Sequence, residues 1–352
     1  MVQTAFWGDL LLTIPLLRWI KSSYPDMQLG LVCRKGLGNP LLKLGLVDQV
    51  WEIQKGNAQS YREIRSQISS YSLNLLLAPH TSVRTTLFCS RLKARRKITF
   101  AKFWNFAVFD RRLKWPGSYP EALRLLSMLV EENEALQKLW KALPPAQQFI
   151  VKTKPGDLPA PPEWADPHTS LDPKRVEKLS EELKILERFP FQNFIALFPG
   201  SVWATKMWKK EGYQSLGQEL QQSGHQVVIM GGPDEKSLAS EIALQIPGSV
   251  NLCGQSSLLE SLLILQKARL VVGNDSSSSH MAALMGIPVV SIFGPTVLEF
   301  GYRPWAKQTR ILELDGLSCR PCGLHGHRQC PLGHHKCMKS LEVHMSDLPL
   351  EP

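Results

Sequence analysis

The sequence predicts an α/β protein of two Rossmann-like domains whose parallel sheets face each other across a cleft, and three observations carry that expectation. Short apolar runs alternate with stretches of helical periodicity along most of the chain, the pattern of strands joined by crossover helices. A length of 352 residues suits two domains, each with its own hydrophobic core. The apolar runs end in turns of small residues that open helices: Gly8-Asp9, Pro199-Gly200-Ser201, Gly231-Gly232-Pro233-Asp234-Glu235 and Asn274 to His280. In parallel sheets, ligands bind beyond the carboxyl ends of strands.

The first half opens with a short apolar run, Val2 to Phe6, then Gly8-Asp9, then Leu10, Ile14, Leu17 and Ile20 at helical spacing up to Tyr24-Pro25. This opening strand is shorter than the five or six residues typical of an internal strand, so a start a few residues upstream is expected. Leu29 to Cys33, Val50 to Ile53 and Leu73 to Ala78 read as strands, with a helix over Asn39 to Leu46 and another over Ser118 to Leu129. From Arg91 to Lys114 basic residues crowd around Phe100, Phe103, Trp104, Phe106 and Phe109, with Asp110 the single acid. That stretch reads either as a solvated face over a small aromatic core or as a docking patch for an anionic, amphiphilic partner. Arg95, Arg96 and Lys97 are its candidate residues for binding that partner. The proline-rich Lys152 to Pro173 reads as a linker, dividing the chain into an N-terminal Rossmann-like domain over 1–165 and a C-terminal one over 166–352.

The second half alternates more cleanly. Strands are expected over Asn193 to Phe198, Gln226 to Met230, Val250 to Leu252, Leu270 to Val272, Pro288 to Phe293 and Arg310 to Leu314. Helices fall between them at Glu211 to Ser223, Asp234 to Ile246 and Leu258 to Gln266. The turn from Asn274 to His280 feeds a helix start whose N–H groups have no partner within the helix, so it is suited to hold a phosphate. Ordinary N-capping by Ser or Asp is the simpler alternative for any one such turn.

Composition narrows the function classes. Hydrophobic residues make up 43% of the chain and no uninterrupted apolar run approaches a membrane span, and no secretory leader is apparent, so a cytoplasmic protein is expected. A formal charge of +10 points to anionic partners without choosing among nucleic acid, a lipid surface and a phosphorylated small molecule. Four of the seven cysteines, Cys319, Cys322, Cys330 and Cys337, crowd into one segment together with four histidines. Their spacing fits a structural zinc site, with unpaired thiols or an occasional disulfide as the alternative.

Together, Phe-Trp-Gly-Asp-Leu-Leu-Leu-Thr-Ile-Pro-Leu-Leu-Arg, Phe-Pro-Gly-Ser-(x)4-Lys-Met-Trp, Gly-Gly-Pro-Asp-Glu and Gly-Asn-Asp-Ser-(x)3-His-Met-Ala-Ala-(x)2-Gly-(x)-Pro resemble glycosyltransferase family 9 over nearly the whole chain. These are the ADP-heptose:lipopolysaccharide heptosyltransferases, and the layout is most similar to heptosyltransferase II. The resemblance implies a GT-B fold and an inverting transfer from ADP-L-glycero-D-manno-heptose to the inner core of lipopolysaccharide, without a catalytic metal. It implies Asp9 as general base and Lys206 as the cation that neutralises the donor's diphosphate. Ser201, Ser276 and Ser277 fall at phosphate-binding turns, Glu235 at the ribose, Asp275 at the heptose end of the donor and His280 nearby. Two departures stand out: Val202 replaces a phosphate-binding hydroxyl, and Ser277 stands where the family has Gly. The closing helix of the family is short or absent over Met338 to Pro352.

The chemistry agrees with that assignment. Departure of a nucleoside diphosphate spreads negative charge that a lysine and helix N–H groups stabilise, and a carboxylate accepts the proton of the attacking hydroxyl. Peripheral contact with the anionic inner-membrane surface follows from the basic stretch, and no nucleic-acid partner is expected. Transferases of other specificity and nucleotide-sugar epimerases share the fold class, and a zinc-containing nucleic-acid-binding protein fits the charge and cysteines but not four turn motifs. An oxidoreductase is disfavoured, because neither Gly-rich turn has Gly-x-Gly-x-x-Gly spacing.

Overall fold

The computed structural model describes residues 1–153 and 155–350, which form two compact units. The first comprises Met1–Pro144 with Ser170–Arg175, and the second Pro145–Thr169 with Val176–Pro352. The boundary therefore departs from the expected division at 165. The proline-rich stretch is not a free linker, because β6 (Asp157–Leu158, numbering all strands in chain order) pairs antiparallel with the last strand of the second unit. Arg310 holds Asp157 there through two hydrogen bonds of 2.6 and 2.9 Å.

In the first unit, β1 (Gly30–Arg34) pairs in parallel with β2 (Gln49–Ile53). β3 (Leu73–Ala78), β4 (Ala94–Phe100) and β5 (Arg111–Leu113) form a second parallel set. The opening segment joins the two: Val2 N–H donates to Leu77 O at 2.8 Å and Gln3 N–H to Val32 O at 2.9 Å. The expected strand over Val2 to Phe6 is thus reduced to an extended segment bridged at Val2, since a helix begins at Trp7. That helical stretch is two helices, α1 (Trp7–Leu12) and α2 (Ile14–Ser23). Pro15 lacks an N–H and its ring conflicts with the carbonyl four residues back, which breaks the helix at Thr13. α3 (Gly38–Lys43), α4 (Ala58–Ile68), α5 (Val83–Ser90), α6 (Glu121–Leu126) and α7 (Glu134–Lys141) complete the unit. α4 and α5 start at clear signals, the side chains of Asn57 and Ser82, each accepting N–H groups of the first turn.

The second unit follows the expected alternation within a residue or two, apart from the helix expected to reach Ile246, which ends at Ala243. Among the described residues its sheet has seven strands in the order β6-β12-β11-β10-β7-β8-β9. These are β7 (Phe194–Phe198), β8 (Val227–Ile229), β9 (Val250–Asn251), β10 (Ala268–Asn274), β11 (Val289–Phe293) and β12 (Thr309–Glu313), parallel apart from β6. Packed around them are α8 (Pro173–Glu182), α9 (Ile185–Arg188), α10 (Lys210–Gln222), α11 (Lys236–Ala243), α12 (Leu258–Leu265) and α13 (Ser277–Met285). α14 (Lys336–Lys339) follows. The continuous apolar runs of β7, β10 and β11 are buried, as central parallel strands covered on both faces require. After α14 the described chain has little helix, as expected, yet Met338 within α14 and Leu341, Val343 and Leu348 beyond it are buried in this core.

Candidate active site

In the first unit the carboxyl ends of the strands gather a small polar group. Asp9, in the first turn of α1, accepts the Phe6 N–H at 3.1 Å through one carboxylate oxygen, so its capping role is real. Thr4 and Thr85 place their hydroxyls 2.9 and 3.2 Å from His80 Nδ1, and Arg34 Nε donates to Thr4 O at 3.0 Å. Burial, reinforced by the charges of Lys55 and Arg34, pushes the His80 imidazole down to about 4, so it is neutral at physiological pH. Burial also lowers Arg34 and Lys55, and the charge of Asp9 opposes that shift in both. Asp9 therefore belongs to a group with two cations and a neutral histidine, none of which the sequence reading singled out. The signal available for His80 was its place just after the buried strand that ends at Ala78.

The expected basic patch is differently placed. Arg95, Arg96 and Lys97 lie in the first half of β4, whose second half, Ile98 to Phe100, is buried in the sheet. A rise of about 3.3 Å per residue puts Arg95 roughly 16 Å from the carboxyl end of that strand. Arg96 is paired with Glu132 at 2.7 Å, and Lys97 Nζ donates to Cys89 O at 3.1 Å, so two of the three are committed to holding the fold. The aromatic residues of this stretch are not a common core, since Phe100 and Phe109 are buried while Phe103 and Phe106 are largely exposed.

In the second unit the expected donor residues do converge. Lys206 Nζ lies 2.5 Å from Asp275 Oδ2, and the Thr296 hydroxyl donates to the same carboxylate oxygen at 2.7 Å. Asp275 and His280 are both buried, and His280 Nδ1 has no hydrogen-bond partner among the described residues. Ser276 is the N-cap of α13, but no side chain caps that helix, because Ser276 Oγ instead meets Ser278 Oγ at 2.9 Å. An uncapped helix start beside a lysine is chemically suited to a diphosphate. Ser277 occupies the first position of α13 without displacing the helix, so the side chain at this position is accommodated.

The neighbouring turns are held to this one by main-chain and side-chain bonds. Glu235 accepts the Gly232 N–H at 2.7 Å, and a Cβ added to Gly200 would fall 1.7 Å from Glu235 Oε1. Glycine at 200 thus leaves the space that the Glu235 carboxylate occupies. Burial raises the Glu235 carboxyl above its ordinary range. Ser201 Oγ accepts the Trp203 N–H at 3.3 Å, and Val202 is three-quarters exposed.

Asn274, fully buried at the end of β10, ties these parts together. Its Oδ1 accepts the Trp208 N–H at 2.9 Å and lies 3.1 Å from the Tyr213 hydroxyl, while its Nδ2 donates to Pro199 O at 2.8 Å and Gly200 O at 3.2 Å. Aspartate cannot donate to those two carbonyls and would bury a charge against them. Asn274→Asp is expected to cost about 3–5 kcal/mol of unfolding free energy, measured by denaturant titration.

His280 gives a pH-dependent counterpart. Burial holds its imidazole down at about 4 from an ordinary 6.5, against the pull of Asp275. The unfolded chain takes up this proton near pH 6.5 and the folded chain only near pH 4. The contribution is complete above pH 6.5 and is lost as the pH falls toward 4, by up to about 3 kcal/mol. His280→Gln is expected to flatten the acid limb of second-unit stability in that window, measured by denaturation at several pH values.

The Cys-rich segment wraps around this site. Thr205 N–H donates to His327 O at 3.1 Å, His327 N–H returns a bond of 2.7 Å to the Thr205 hydroxyl, and His335 Nε2 lies 2.8 Å from Thr205 O. On the other side, Cys322 N–H donates to Pro295 O at 2.9 Å and Arg320 to Thr296 O at 2.9 Å. The segment thus braces the neighbours of both Lys206 and Asp275, a role that residue spacing does not disclose. All seven cysteines are free thiols among the described residues. Burial first, then the neighbouring thiols, raises Cys322 and Cys337, the latter to about 11. No three Cys, His, Asp or Glu side chains among the described residues are gathered closely enough to hold an ion, so the expected zinc site is not assembled in this arrangement.

Two Rossmann-like units, the second with a phosphate-suited helix start beside a nearly buried lysine–carboxylate pair, have the architecture of the GT-B class of nucleotide-sugar enzymes. Residues 69–335 match the family model described as glycosyltransferase family 9 (heptosyltransferase), and the chain belongs to that family. It is 25% identical over 314 residues to lipopolysaccharide heptosyltransferase 3 of Escherichia coli, covering 86% of this chain and 84% of that protein. It is 31% identical over 178 residues to lipooligosaccharide heptosyltransferase 2 of Campylobacter jejuni, covering 46% and 54%. In fold it is similar to a family 9 glycosyl transferase from Veillonella parvula, with a TM-score of 0.71, 17% identity and coverage of 90% and 87%. It is also similar to the E. coli ADP-heptose heptosyltransferase II, with a TM-score of 0.67, 18% identity and coverage of 93% and 92%.

Proposed function

We propose that this transferase moves a heptose from ADP-L-glycero-D-manno-heptose to the inner core of lipopolysaccharide with inversion at the anomeric carbon. The observation that carries the reading is the Lys206–Asp275–Thr296 group beside the uncapped start of α13. Lys206 and the N–H groups after Ser276 receive the charge of the departing ADP, with Ser201 and Ser277 at its phosphates. Glu235 binds the ribose, Asp275 the heptose end of the donor, and His280 supports Asp275 as a neutral imidazole. Asp9 takes the proton of the attacking hydroxyl.

The layout of motifs favours addition of the second heptose, while the relatives carry the names heptosyltransferase 2 and 3. Release of ADP from ADP-heptose in the presence of acceptors trimmed to no, one or two heptoses tests both levels at once. Turnover only with the one-heptose acceptor is the expected result, turnover with two reassigns the position, and no turnover with any of them overturns the reading. Among the described residues no helix is long and apolar enough to cross a membrane. Peripheral association with the anionic inner-membrane surface, from the cytoplasmic side, is part of the same proposal, and salt-sensitive co-sedimentation with anionic vesicles checks it. None of the proposed steps uses a metal, so EDTA is expected to leave the rate unchanged. Zinc at the Cys segment requires the sulfurs to draw together, and metal analysis of fresh protein finding well below one equivalent removes it.

A further inference from the structure

On the first unit, α4 and α5 border an open cavity of about 300 Å³, at the lower end of the range of small-molecule sites. Its floor is the edge-on pair Tyr61 and Phe88, with ring centroids 5.9 Å apart. Its walls carry Arg62 and Arg65 from α4 and Arg84 and Arg91 from α5 and its end, with no acidic residue in the lining. The placement is set by helical spacing: Arg62 and Arg65 are three apart, and Arg84, Phe88 and Arg91 share one face.

Elsewhere several arginines of this chain meet a carboxylate. Arg96 and Arg111 share Glu132, Arg188 meets Glu260, Arg310 meets Asp157 and Arg320 meets Glu313. The four guanidiniums of this cavity make no ion pair or hydrogen bond within the described residues. Four forked donors facing one space with no counter-charge favour a ligand that supplies several acceptor oxygens and more than one negative charge. Leu87, more than half exposed, forms an apolar part of the lining.

We propose that this groove binds a phosphate dianion, a phosphomonoester or pyrophosphate group, presented either by a free phosphorylated molecule or by a lipid headgroup. The groove neighbours the group around Asp9, since Tyr61 acts on Arg34 and Arg84 on Lys55, but the proposal does not rest on the transferase reading: it is read from phosphate binding and uses neither Asp9 nor Lys206.

The test titrates inorganic pyrophosphate into the full chain at low ionic strength, comparing wild type with Arg65→Ala/Arg91→Ala, Lys206→Gln and Arg95→Ala. Saturable binding is expected that weakens at least 10-fold in the double variant and persists in Lys206→Gln and Arg95→Ala. Binding that is absent in wild type, unchanged in the double variant or lost in Lys206→Gln overturns the proposal. Should the alanine pair not fold, as judged by circular dichroism, Arg65→Lys/Arg91→Lys keeps the charge but loses the fork, and a weakening of at least 3-fold is expected. Phosphatidylcholine vesicles doped with phosphatidic acid, or with phosphatidylglycerol at equal surface charge, separate the sources. A preference for phosphatidic acid that the double variant loses assigns a lipid headgroup, and no preference alongside Arg-dependent pyrophosphate binding assigns a free ligand. Vesicle binding that is the same in wild type and double variant, with no pyrophosphate binding, shows a general basic surface and overturns the site.

Discussion

Asp9→Asn is expected to lower kcat by ~10²-fold or more while leaving the fold and donor binding in place, the usual scale for loss of a general base. The carboxylate accepts the Phe6 N–H at 3.1 Å at the start of α1, and an amide oxygen accepts the same bond, so the helix start survives while basicity is lost. Asp9 also opposes the burial of Arg34 and Lys55, so the variant should titrate those groups to slightly lower pH without unfolding. Steady-state kinetics with a thermal-unfolding control measures both parts. A folded variant that keeps more than about half of wild-type kcat reassigns the base, and Asp275 is then the next carboxylate to substitute.

Lys206→Ala is expected to worsen donor KM and kcat together, since the lysine meets the diphosphate both in the bound donor and as it leaves. Here the structure adds a stability effect. Lys206 and Asp275 are a nearly buried pair at 2.5 Å, and removing the lysine takes away the cation that answers the Asp275 charge and leaves the Thr296 hydroxyl bonded to the carboxylate. Breaking such a pair from one side costs about 3–5 kcal/mol. Lys206→Ala should therefore be destabilised as well as slow, whereas Lys206→Ala/Asp275→Asn should recover much of the stability and none of the rate. A double-mutant cycle on unfolding free energy and on kcat/KM separates the two effects. Equal recovery of both would mean that the lysine serves only to neutralise Asp275.

The elements legible in the sequence are those with a local cause. The apolar runs of β7, β10 and β11 are continuous because both faces of a central parallel strand are buried, and they stand within a residue or two of their expected positions. The turns at Gly200, Gly232 and Ser276 are likewise written in short stretches, because room for the Glu235 side chain and helix starts each favour particular residues. Lys206, Asp275 and His280 were found from such turns, and the fold brings them to one place. β4 escaped because its first half carries Arg95, Arg96 and Lys97 and reads as surface, while the partners that bury its second half, β3 and β5, are separated from it in sequence. The division between units moved for the same kind of reason, since Asp157 is held by Arg310, 153 residues away.

What the sequence by itself determined is the class of each unit and the residues of the donor turns, because strand burial, glycine turns and helix starts act over a few residues. What only the tertiary structure decided is who holds those residues. Asn274 clamps Pro199 and Gly200, His327 and His335 brace Thr205, Arg320 braces Thr296, and four arginines from two helices face one cavity without a counter-charge. Each of these arrangements depends on side chains brought together from distant stretches. Hydrogen bonds and charges act through space, so no local pattern records them.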